Sequence, residues 1–360
     1  MLQNRRFLPT LILTVTLWAA GQAASPVLAA GRYSVTKEKV EGHATYHLHD
    51  HALKMDFGLV PDIGNFAYEF KADGKDVLVP VESLASYAKA RQFRGGIPFL
   101  EPFANRLDGD YYFFQGRKYL LNGSLGNFLR DQFGQPIHGL LVYETHWRVV
   151  KHGASDSEGA FVTSRLDFYR YPALMAQFPF AHTIDVTYRL KDGRLENTTV
   201  IHNVGASAMP VDIGYHPYFE SPGTRQDWVL SLPARKHWIL NKKLIPTGAT
   251  EPTDKLLTNP AHFVLGKTYL DDVFSDLPRD SQGLARVSVE SGNSKIEVLF
   301  GKEYSFAVVY APWPHSLICF EPYTGPTDAF NLHHEGKFPG LVILNPGQTF
   351  QAKFWIVPTG

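Results

Sequence analysis

The chain has 360 residues, of which 44% are apolar and 19% charged, and its 35 basic and 35 acidic side chains cancel to a net charge of zero. A neutral balance argues against nucleic acid or an anionic membrane surface as a partner. A single cysteine, Cys319, allows no intramolecular disulfide. We therefore expect a large hydrophobic core to stabilise the fold, with Cys319 as a small core residue rather than a nucleophile.

Residues 1–29 have the pattern of a secretory signal peptide. A positive start at Asn4–Arg6 precedes an apolar run, Phe7–Ala20, and small residues follow as far as Ala29. The apolar run is short for a membrane span, and no later segment is long and apolar enough to cross a bilayer. The pattern predicts export, with a periplasmic or secreted mature protein and cleavage after Ala23 or Ala29.

From Tyr33 onward the sequence is typical of an all-β chain, with short alternating or apolar segments separated by turns. The predicted strands are 44–49, 53–57, 66–70 with its hairpin partner 77–79, a hairpin over 110–121, then 145–150, 160–168, 183–190, 195–203, 228–232, 285–290, 295–300, 306–310 and 350–357. Many short strands of this kind indicate a sandwich or a barrel. Because no linker interrupts residues 30–360, we expect one large β-sandwich domain.

Two segments depart from the strand pattern. Val81–Gln92 is rich in helix formers and predicts a short helix. Gly95–Arg106 contains two glycines and two prolines, which predicts irregular structure. A polar loop, Asn122–Pro136, leads to a histidine at position 138.

The segment Ser316–Asn331 begins as an apolar run that predicts a buried strand, and Glu321 follows at its end. A turn with two prolines and a glycine comes next. A charge rarely sits at the end of a core strand unless partners or a substrate hold it there. We interpret Glu321 as a general base that faces a sugar, and the alternative is that it pairs with a basic side chain or caps the turn.

Other chemically capable side chains stand at strand edges or in Gly/Pro-rich loops. They are Asn105, Arg106, His138, His216, Asp271 and Asp272. Singly, each has an ordinary explanation: a core ion pair, a satisfied structural histidine or a turn cap. Together they offer carboxylates, imidazoles and a guanidinium without a serine or cysteine nucleophile motif. The histidine spacing does not fit a zinc site, and there is no phosphate-binding or dinucleotide-binding glycine motif.

Five of these segments, in order, resemble the motifs of aldose 1-epimerases, the galactose mutarotases. The matching segments are Pro102–Leu107, Ile137–Gly139, Tyr215–Phe219, Leu270–Phe274 and Phe320–Pro322. They cover nearly the whole chain after the leader, from about position 53 to 357. The resemblance implies a large antiparallel β-sandwich with a monosaccharide bound in an open cleft.

By the same resemblance, Glu321 is the base and His216 the acid, while Arg106, Asn105, His138 and Asp271 hold the sugar. No cofactor or metal is implied. Ring opening needs a proton removed from the C1 hydroxyl and one delivered to the ring oxygen, which an ionised carboxylate and a protonated imidazole can do. We expect the neighbouring carboxylate to favour the charged imidazole. Asp272 stays an alternative to Asp271.

The sequence also departs from the family pattern and leaves other functions open. Leu140 stands where the family usually has a second glycine, and Glu220 where it usually has asparagine. Both departures bear on substrate preference more than on the acid and base. The alternatives are a non-catalytic carbohydrate-binding module of the same fold, a glycosidase that pairs Glu321 with Asp271, and an enzyme for a phosphorylated hexose.

Overall fold

Strands dominate the computed structural model, which describes residues 31–91, 93–220 and 223–360. The signal peptide predicted for residues 1–29 lies outside the described residues. The first strands are β1 (Tyr33–Val40), β2 (His43–Asp50), β3 (Met55–Val60), β4 (Phe66–Ala72), β5 (Lys75–Asp76), β6 (Phe99–Leu100), β7 (Tyr111–Phe114), β8 (Arg117–Leu120), β9 (Leu129–Arg130), β10 (Pro136–Ile137), β11 (Arg148–Ser155), β12 (Gly159–Leu166), β13 (His182–Lys191) and β14 (Arg194–Asn203).

The second half of the chain continues in the same way. Its strands are β15 (Met209–Val211), β16 (Gly214–Tyr215), β17 (Tyr218–Phe219), β18 (Val229–Ser231), β19 (Lys236–Leu240), β20 (Pro246–Pro252), β21 (Phe263–Val264), β22 (Leu270–Ser275), β23 (Ala285–Ser291), β24 (Ser294–Phe300), β25 (Phe306–Ala311), β26 (Ile318–Tyr323), β27 (Val342–Leu344) and β28 (Thr349–Thr359).

Helices are short. They are α1 (Leu84–Ala90), α2 (Pro172–Gln177) and α3 (Ala329–His334), with 3₁₀ turns at Gly123–Leu125, Phe168–Arg170, Arg225–Asp227 and Thr253–Lys255. None of the helices in the described part of the chain has the length and apolar character that a bilayer span requires.

Three larger sheets organise the described residues, and all their strand pairs are antiparallel. The N-terminal sheet has the order β1-β2-β3-β4-β5, and a nine-stranded sheet has the order β11-β12-β13-β14-β28-β24-β23-β18-β21. The third sheet has the order β20-β19-β22-β25-β26-β16-β6, with β17 also paired to β26. This third sheet is called the site sheet below. The antiparallel all-β prediction is confirmed.

Part of the core lies between the nine-stranded sheet and one face of the site sheet, and residues of the N-terminal sheet belong to the same core. The ring of Tyr215 on β16 packs against Phe354 on β28, with centroids 4.9 Å apart. The Tyr215 hydroxyl also lies 2.6 Å from the hydroxyl of Thr199 on β14. Because side chains alternate across a strand, the neighbours of these core residues project from the opposite face of the site sheet. That face is free to carry polar groups.

Local sequence explains most of the predicted elements and some of the errors. The predicted helix over 81–92 forms only at Leu84–Ala90, because Ser83 caps its start by accepting the Ser86 N–H at 3.1 Å. Arg91 ends it in the left-handed region at φ 50°. The hairpin partner of β4 is Lys75–Asp76 rather than 77–79. Strand β26 continues two residues beyond Glu321, through Pro322 to Tyr323.

Candidate functional site

Strand register places two of the predicted carboxylates on one face of the site sheet. Asp271 on β22 lies opposite Tyr310 on β25, and Val308 on β25 lies opposite Glu321 on β26. Tyr310 and Val308 are two residues apart, so all four side chains project from the same face. The adjacent residues of each strand project from the opposite face. The site is therefore built from alternate positions of paired strands.

Two irregular loops bring Asn105, Arg106 and His138 to this face, and His216 lies between β16 and β17. Asn105 and His138 both adopt left-handed backbone conformations, with φ of 61° and 67°. The N–H of His138 donates to the Asn105 carbonyl oxygen at 2.8 Å. Non-glycine residues at positive φ cost conformational energy and cluster at functional sites. The bond between the two loops fixes Asn105, Arg106 and His138 side by side.

Together these elements enclose a cavity of about 220 Å³. Its lining residues are Phe93, Asn105, Arg106, Gln132, Ile137, His138, His216, Tyr218, Tyr269, Asp271, Tyr310 and Glu321. All six site residues predicted from the sequence are among them. Pockets for drug-sized ligands are typically about 300–1,000 Å³, so this smaller and more polar cavity is suited to a single small polar molecule.

The buried guanidinium of Arg106 is held by three oxygen acceptors. Its Nε donates to Asp131 at 2.9 Å, its second terminal nitrogen to Asp271 at 3.2 Å, and its first to the Asn105 side-chain oxygen at 3.1 Å. Only 8% of its side chain is exposed, against 2% for Asp131 and 11% for Asp271. A buried charge held in this way is fixed in one orientation.

Side chains alternate across β22, so Asp272 projects away from the cavity that Asp271 faces. Its carboxylate oxygen lies 3.0 Å from Nε2 of His237, whose Nδ1 lies 3.0 Å from Glu251. Asp272 therefore belongs to a separate ion-pair cluster. Of the two adjacent aspartates, Asp271 is the one that a ligand in the cavity can reach.

The two predicted acid–base residues are direct neighbours. Nε2 of His216 lies 3.3 Å from Oε1 of Glu321, and both side chains are almost fully buried. The other oxygen of Glu321 accepts a hydrogen bond from the hydroxyl of Tyr323 at 2.5 Å. Nδ1 of His216 and Nδ1 of His138 are buried without a hydrogen-bond partner in the described structure. A buried polar atom normally has a hydrogen-bond partner, and both of these histidines line the cavity, where a ligand could supply one.

Aromatic rings fix the orientation of both imidazoles. His216 stacks on Tyr218 with centroids 4.5 Å apart, and Phe93 stacks on His138 at 4.2 Å. The two imidazoles meet edge to face at 5.3 Å. Such contacts restrict rotation of the imidazole rings.

Burial shifts the pKa values of the acid–base residues toward their uncharged forms, which differs from the expectation from the sequence. It lowers the pKa of His216 from 6.5 to about 3, and the positive charge of Arg106 adds to the effect. Burial also raises the pKa of Glu321 well above its usual range, although the Tyr323 hydrogen bond opposes this. The neighbouring carboxylate was expected to favour a charged imidazole, but desolvation is the largest influence and lowers the pKa of His216 instead. The pKa of His138 is likewise well below 6.5 because of burial.

The two departures from the family pattern do not line the cavity. Leu140 is a core residue, and the exposed Glu220 lies outside the cavity wall. By contrast, local geometry requires a glycine at position 139, because its φ is 69° and a Cβ there would lie 2.2 Å from the Glu101 carbonyl oxygen.

Several site residues were not identified from the sequence. They are Phe93, Asp131, Gln132, Tyr218, Tyr269, Tyr310 and Tyr323. Most are aromatic residues in a chain that is 13% aromatic, so nothing in their local pattern distinguishes a cavity wall from core. Tyr218 lies inside the family-like segment Tyr215–Phe219, and that position could have identified it as a site residue. Among the described residues, no group of three or more potential ligands is arranged to hold a metal ion.

Comparison with known proteins gives a family match over most of the chain. The family model for aldose 1-epimerase matches residues 60–356. The Escherichia coli K12 protein YphB is 24% identical over 311 residues, which are 84% of this chain and 95% of YphB.

Solved structures share the fold. A galactose mutarotase-like protein from Clostridium acetobutylicum superposes with a TM-score of 0.80 at 19% identity, over 91% of this chain and 99% of that one. The Slr1438 protein of Synechocystis sp. PCC 6803 has a TM-score of 0.68 at 26% identity, over 91% and 98%. Galactose 1-epimerase of Lactobacillus acidophilus NCFM has a TM-score of 0.70 at 16% identity, over 91% and 99%. The predicted mutarotase-like sandwich is thereby confirmed.

Proposed function

This chain belongs to the aldose 1-epimerase family, and from that premise we propose that it is a mutarotase that interconverts the α and β anomers of a free aldose such as galactose or glucose. The family places it among isomerases that act on sugars. The observation that carries the specific proposal is the contact of 3.3 Å between His216 and Glu321 inside a small polar cavity. These two residues are called the acid–base pair below.

The acid–base pair carries out ring opening in the proposed reaction. Glu321 removes the proton from the C1 hydroxyl while His216 delivers one to the ring oxygen, which breaks the bond between C1 and that oxygen. The open aldehyde rotates about C1–C2, and the ring recloses on the other face with the two roles reversed. The pair carries one proton. When that proton rests on the carboxyl group, it first moves across the 3.3 Å contact to Nε2 of His216, which leaves Glu321 ionised as the base and His216 charged as the acid. Burial of both groups favours the neutral arrangement of that proton before the sugar enters.

The remaining predicted residues hold the sugar in this proposal. Arg106 offers N–H donors at the cavity wall, and Asp271 accepts from sugar hydroxyls beside it. His138, whose pKa is far below neutral because of burial, is an uncharged hydrogen-bonding group. Asn105 adds an amide next to Arg106. Fixing the sugar in this way keeps C1 and the ring oxygen within reach of the acid–base pair.

The charges of the cavity favour a free sugar over a phosphorylated one. Among the described lining residues, Arg106 is the only lysine or arginine. Its guanidinium is already paired with two carboxylates, Asp131 and Asp271. A phosphate group would meet no unpaired cation and would lie close to buried carboxylates, which is unfavourable.

The test is anomer exchange followed by optical rotation. Pure α-D-galactose and, separately, α-D-glucose are dissolved with wild type, Glu321→Gln or His216→Asn. We expect wild type to accelerate equilibration and both variants to lose the acceleration. If wild type matches the buffer blank but binds sugar, the chain is a non-catalytic carbohydrate-binding module. Hydrolysis of an aryl glycoside that depends on both Glu321 and Asp271 would instead indicate a glycosidase.

We further propose that residues 1–29 are a signal peptide, that the protein is exported to the periplasm or beyond, and that residues 30–360 are one domain. The basis is the positive start, the short apolar run and the small residues before Ala29. N-terminal sequencing of the protein from the exported fraction should begin after Ala23 or Ala29. An N-terminus that still starts at residue 1 would contradict export through this leader.

A further inference from the structure

The two oxygens of Glu321 have different environments. Oε1 lies 3.3 Å from Nε2 of His216, and Oε2 accepts a hydrogen bond from the hydroxyl of Tyr323 at 2.5 Å. Tyr323 has no exposed surface and does not line the cavity. We propose that Tyr323 is a positioning residue for the acid–base pair, whose phenol holds Oε2 of Glu321, directs Oε1 toward His216 and the sugar, and stabilises the ionised carboxylate.

Strand geometry explains why a tyrosine two residues later can reach the carboxyl group. Glu321 and Tyr323 belong to β26, and residues two apart project from the same face of a strand. Pro322 between them points to the opposite face. The phenol ring therefore lies along the strand, and its hydroxyl ends beside the carboxyl group. No other side chain intervenes in this short contact.

The neighbouring strand leaves space for the ring. Tyr323 pairs with Gly214 on β16. A Cβ at position 214 would lie 2.3 Å from Cδ1 and 2.5 Å from Cε1 of the Tyr323 ring. Real Cβ contacts are not this short, so only glycine lets the ring lie against the backbone of β16. The glycine is therefore part of the arrangement that aims the phenol at Glu321.

Electrostatics keep the phenol a donor. Burial and the adjacent Glu321 raise the pKa of Tyr323 well above 10, so its hydroxyl stays protonated at neutral pH. Its hydrogen bond lowers the pKa of Glu321 and so opposes the rise that burial causes. Without this donor, the carboxyl group would hold its proton more tightly and would be a base less often. Hydrogen bonds to a charged acceptor are about twice as strong as neutral ones.

The inference rests on the proposed mutarotase function, and the first experiment is Tyr323→Phe, which removes one oxygen atom and keeps the ring. We expect kcat for anomer exchange to fall about 10- to 100-fold with KM within about twofold of wild type, since one charge-assisted hydrogen bond is lost. The alkaline limb of the pH–rate profile should move to higher pH. Those two changes distinguish positioning of the base from a purely structural role.

The matched control is Tyr112→Phe. Tyr112 is also fully buried, and its hydroxyl donates to the Gln177 carbonyl oxygen at 3.2 Å, outside the cavity. The Tyr112→Phe variant should have a lower melting temperature, while its kcat and pH profile stay at wild-type values. A second test variant, Gly214→Ala, keeps the phenol but displaces the ring, and it should lower kcat as Tyr323→Phe does.

A readout that does not depend on activity separates this inference from the proposed function. The carboxyl C=O stretch of Glu321 is followed by infrared spectroscopy across pH and isolated by subtracting the spectrum of Glu321→Gln. The measured pKa should be higher by about one pH unit or more in Tyr323→Phe than in wild type. An equal pKa in both proteins would overturn the inference even if wild type proves to be a mutarotase. A higher pKa would support it even if wild type shows no anomer exchange.

Discussion

Arg106 offers a test of how strongly the cavity depends on its buried ion pairs. In Arg106→Met the aliphatic stem is kept, but Asp131 and Asp271 lose their common partner. Their side chains are 2% and 11% exposed, so neither carboxylate regains full hydration. Breaking a buried pair by removing one partner costs about 3–5 kcal/mol. We expect Arg106→Met to lower the free energy of unfolding by this amount.

The matched control is Arg165→Met. Arg165 forms a two-bond ion pair with Asp185, but its side chain is 40% exposed and that of Asp185 is 25% exposed. An ion pair open to water contributes at most about 1 kcal/mol. Both variants remove the same side chain and the same charge. The difference between their unfolding free energies therefore measures the effect of burial.

The deficit of Arg106→Met should also depend on pH. Burial already raises the pKa of Asp271, and Arg106 is the main influence that lowers it. Removing Arg106 raises that pKa further above its unfolded value, so the folded variant binds a proton more tightly than the unfolded chain does. The deficit should therefore be largest above the folded pKa and should shrink as the pH falls.

Urea unfolding of wild type and the two variants at pH 7 and pH 5 measures these effects. The expected result is a large deficit for Arg106→Met at pH 7 that is smaller at pH 5, and a small deficit for Arg165→Met at both. The reasoning is refuted if the two variants lose the same free energy at pH 7, or if the deficit of Arg106→Met grows in acid.

Three further outcomes are expected. The first is a pH profile of anomer exchange, measured from pH 2.5 to 10 and corrected for a buffer blank. The enzymatic rate should fall below about pH 3, because the imidazole of the acid–base pair is then protonated as well and no base remains. The rate should fall again at alkaline pH, because no proton is left to donate. A flat profile would contradict this. In urea unfolding, Gly139→Ala should lower the free energy of unfolding by about 1–3 kcal/mol more than Gly116→Ala does. Both glycines have positive φ, but only a Cβ at position 139 meets the Glu101 backbone. Equal losses of free energy would show that this close contact is not what requires glycine at position 139. Gln132→Ala should raise KM about threefold or more through a lost hydrogen bond, whereas Glu220→Asn, outside the cavity wall, should leave KM within about twofold. The reverse order would show that the family departure sets substrate preference.

The sequence was informative where a polar residue interrupts an apolar pattern. Glu321 and His216 stand out because each follows a run that has to be buried, and Arg106 stands out within a loop broken by glycine and proline. Such interruptions have a cost in the core, so they indicate function without knowledge of the fold. The antiparallel sandwich followed in the same way from many short strands and frequent turns.

What the sequence could not supply depends on distances between segments far apart in the chain. Tyr323 has the composition of an ordinary core residue, and only the paired strands show that its hydroxyl meets Glu321. Asp131 lies in a polar loop where a carboxylate is unremarkable until Arg106 is placed beside it. The charge of His216 was misjudged for the same reason, because desolvation depends on everything packed around the ring.

The most direct test of the central claim is a proton NMR measurement in D₂O that follows C1 and C2 of the aldose together. Wild type should accelerate exchange between the α and β C1 signals while the C2 proton is retained, and Glu321→Gln and His216→Asn should match the blank. That result means that the acid–base pair opens and recloses the ring. No acceleration by wild type, or loss of the C2 proton to solvent, would contradict the mutarotase account.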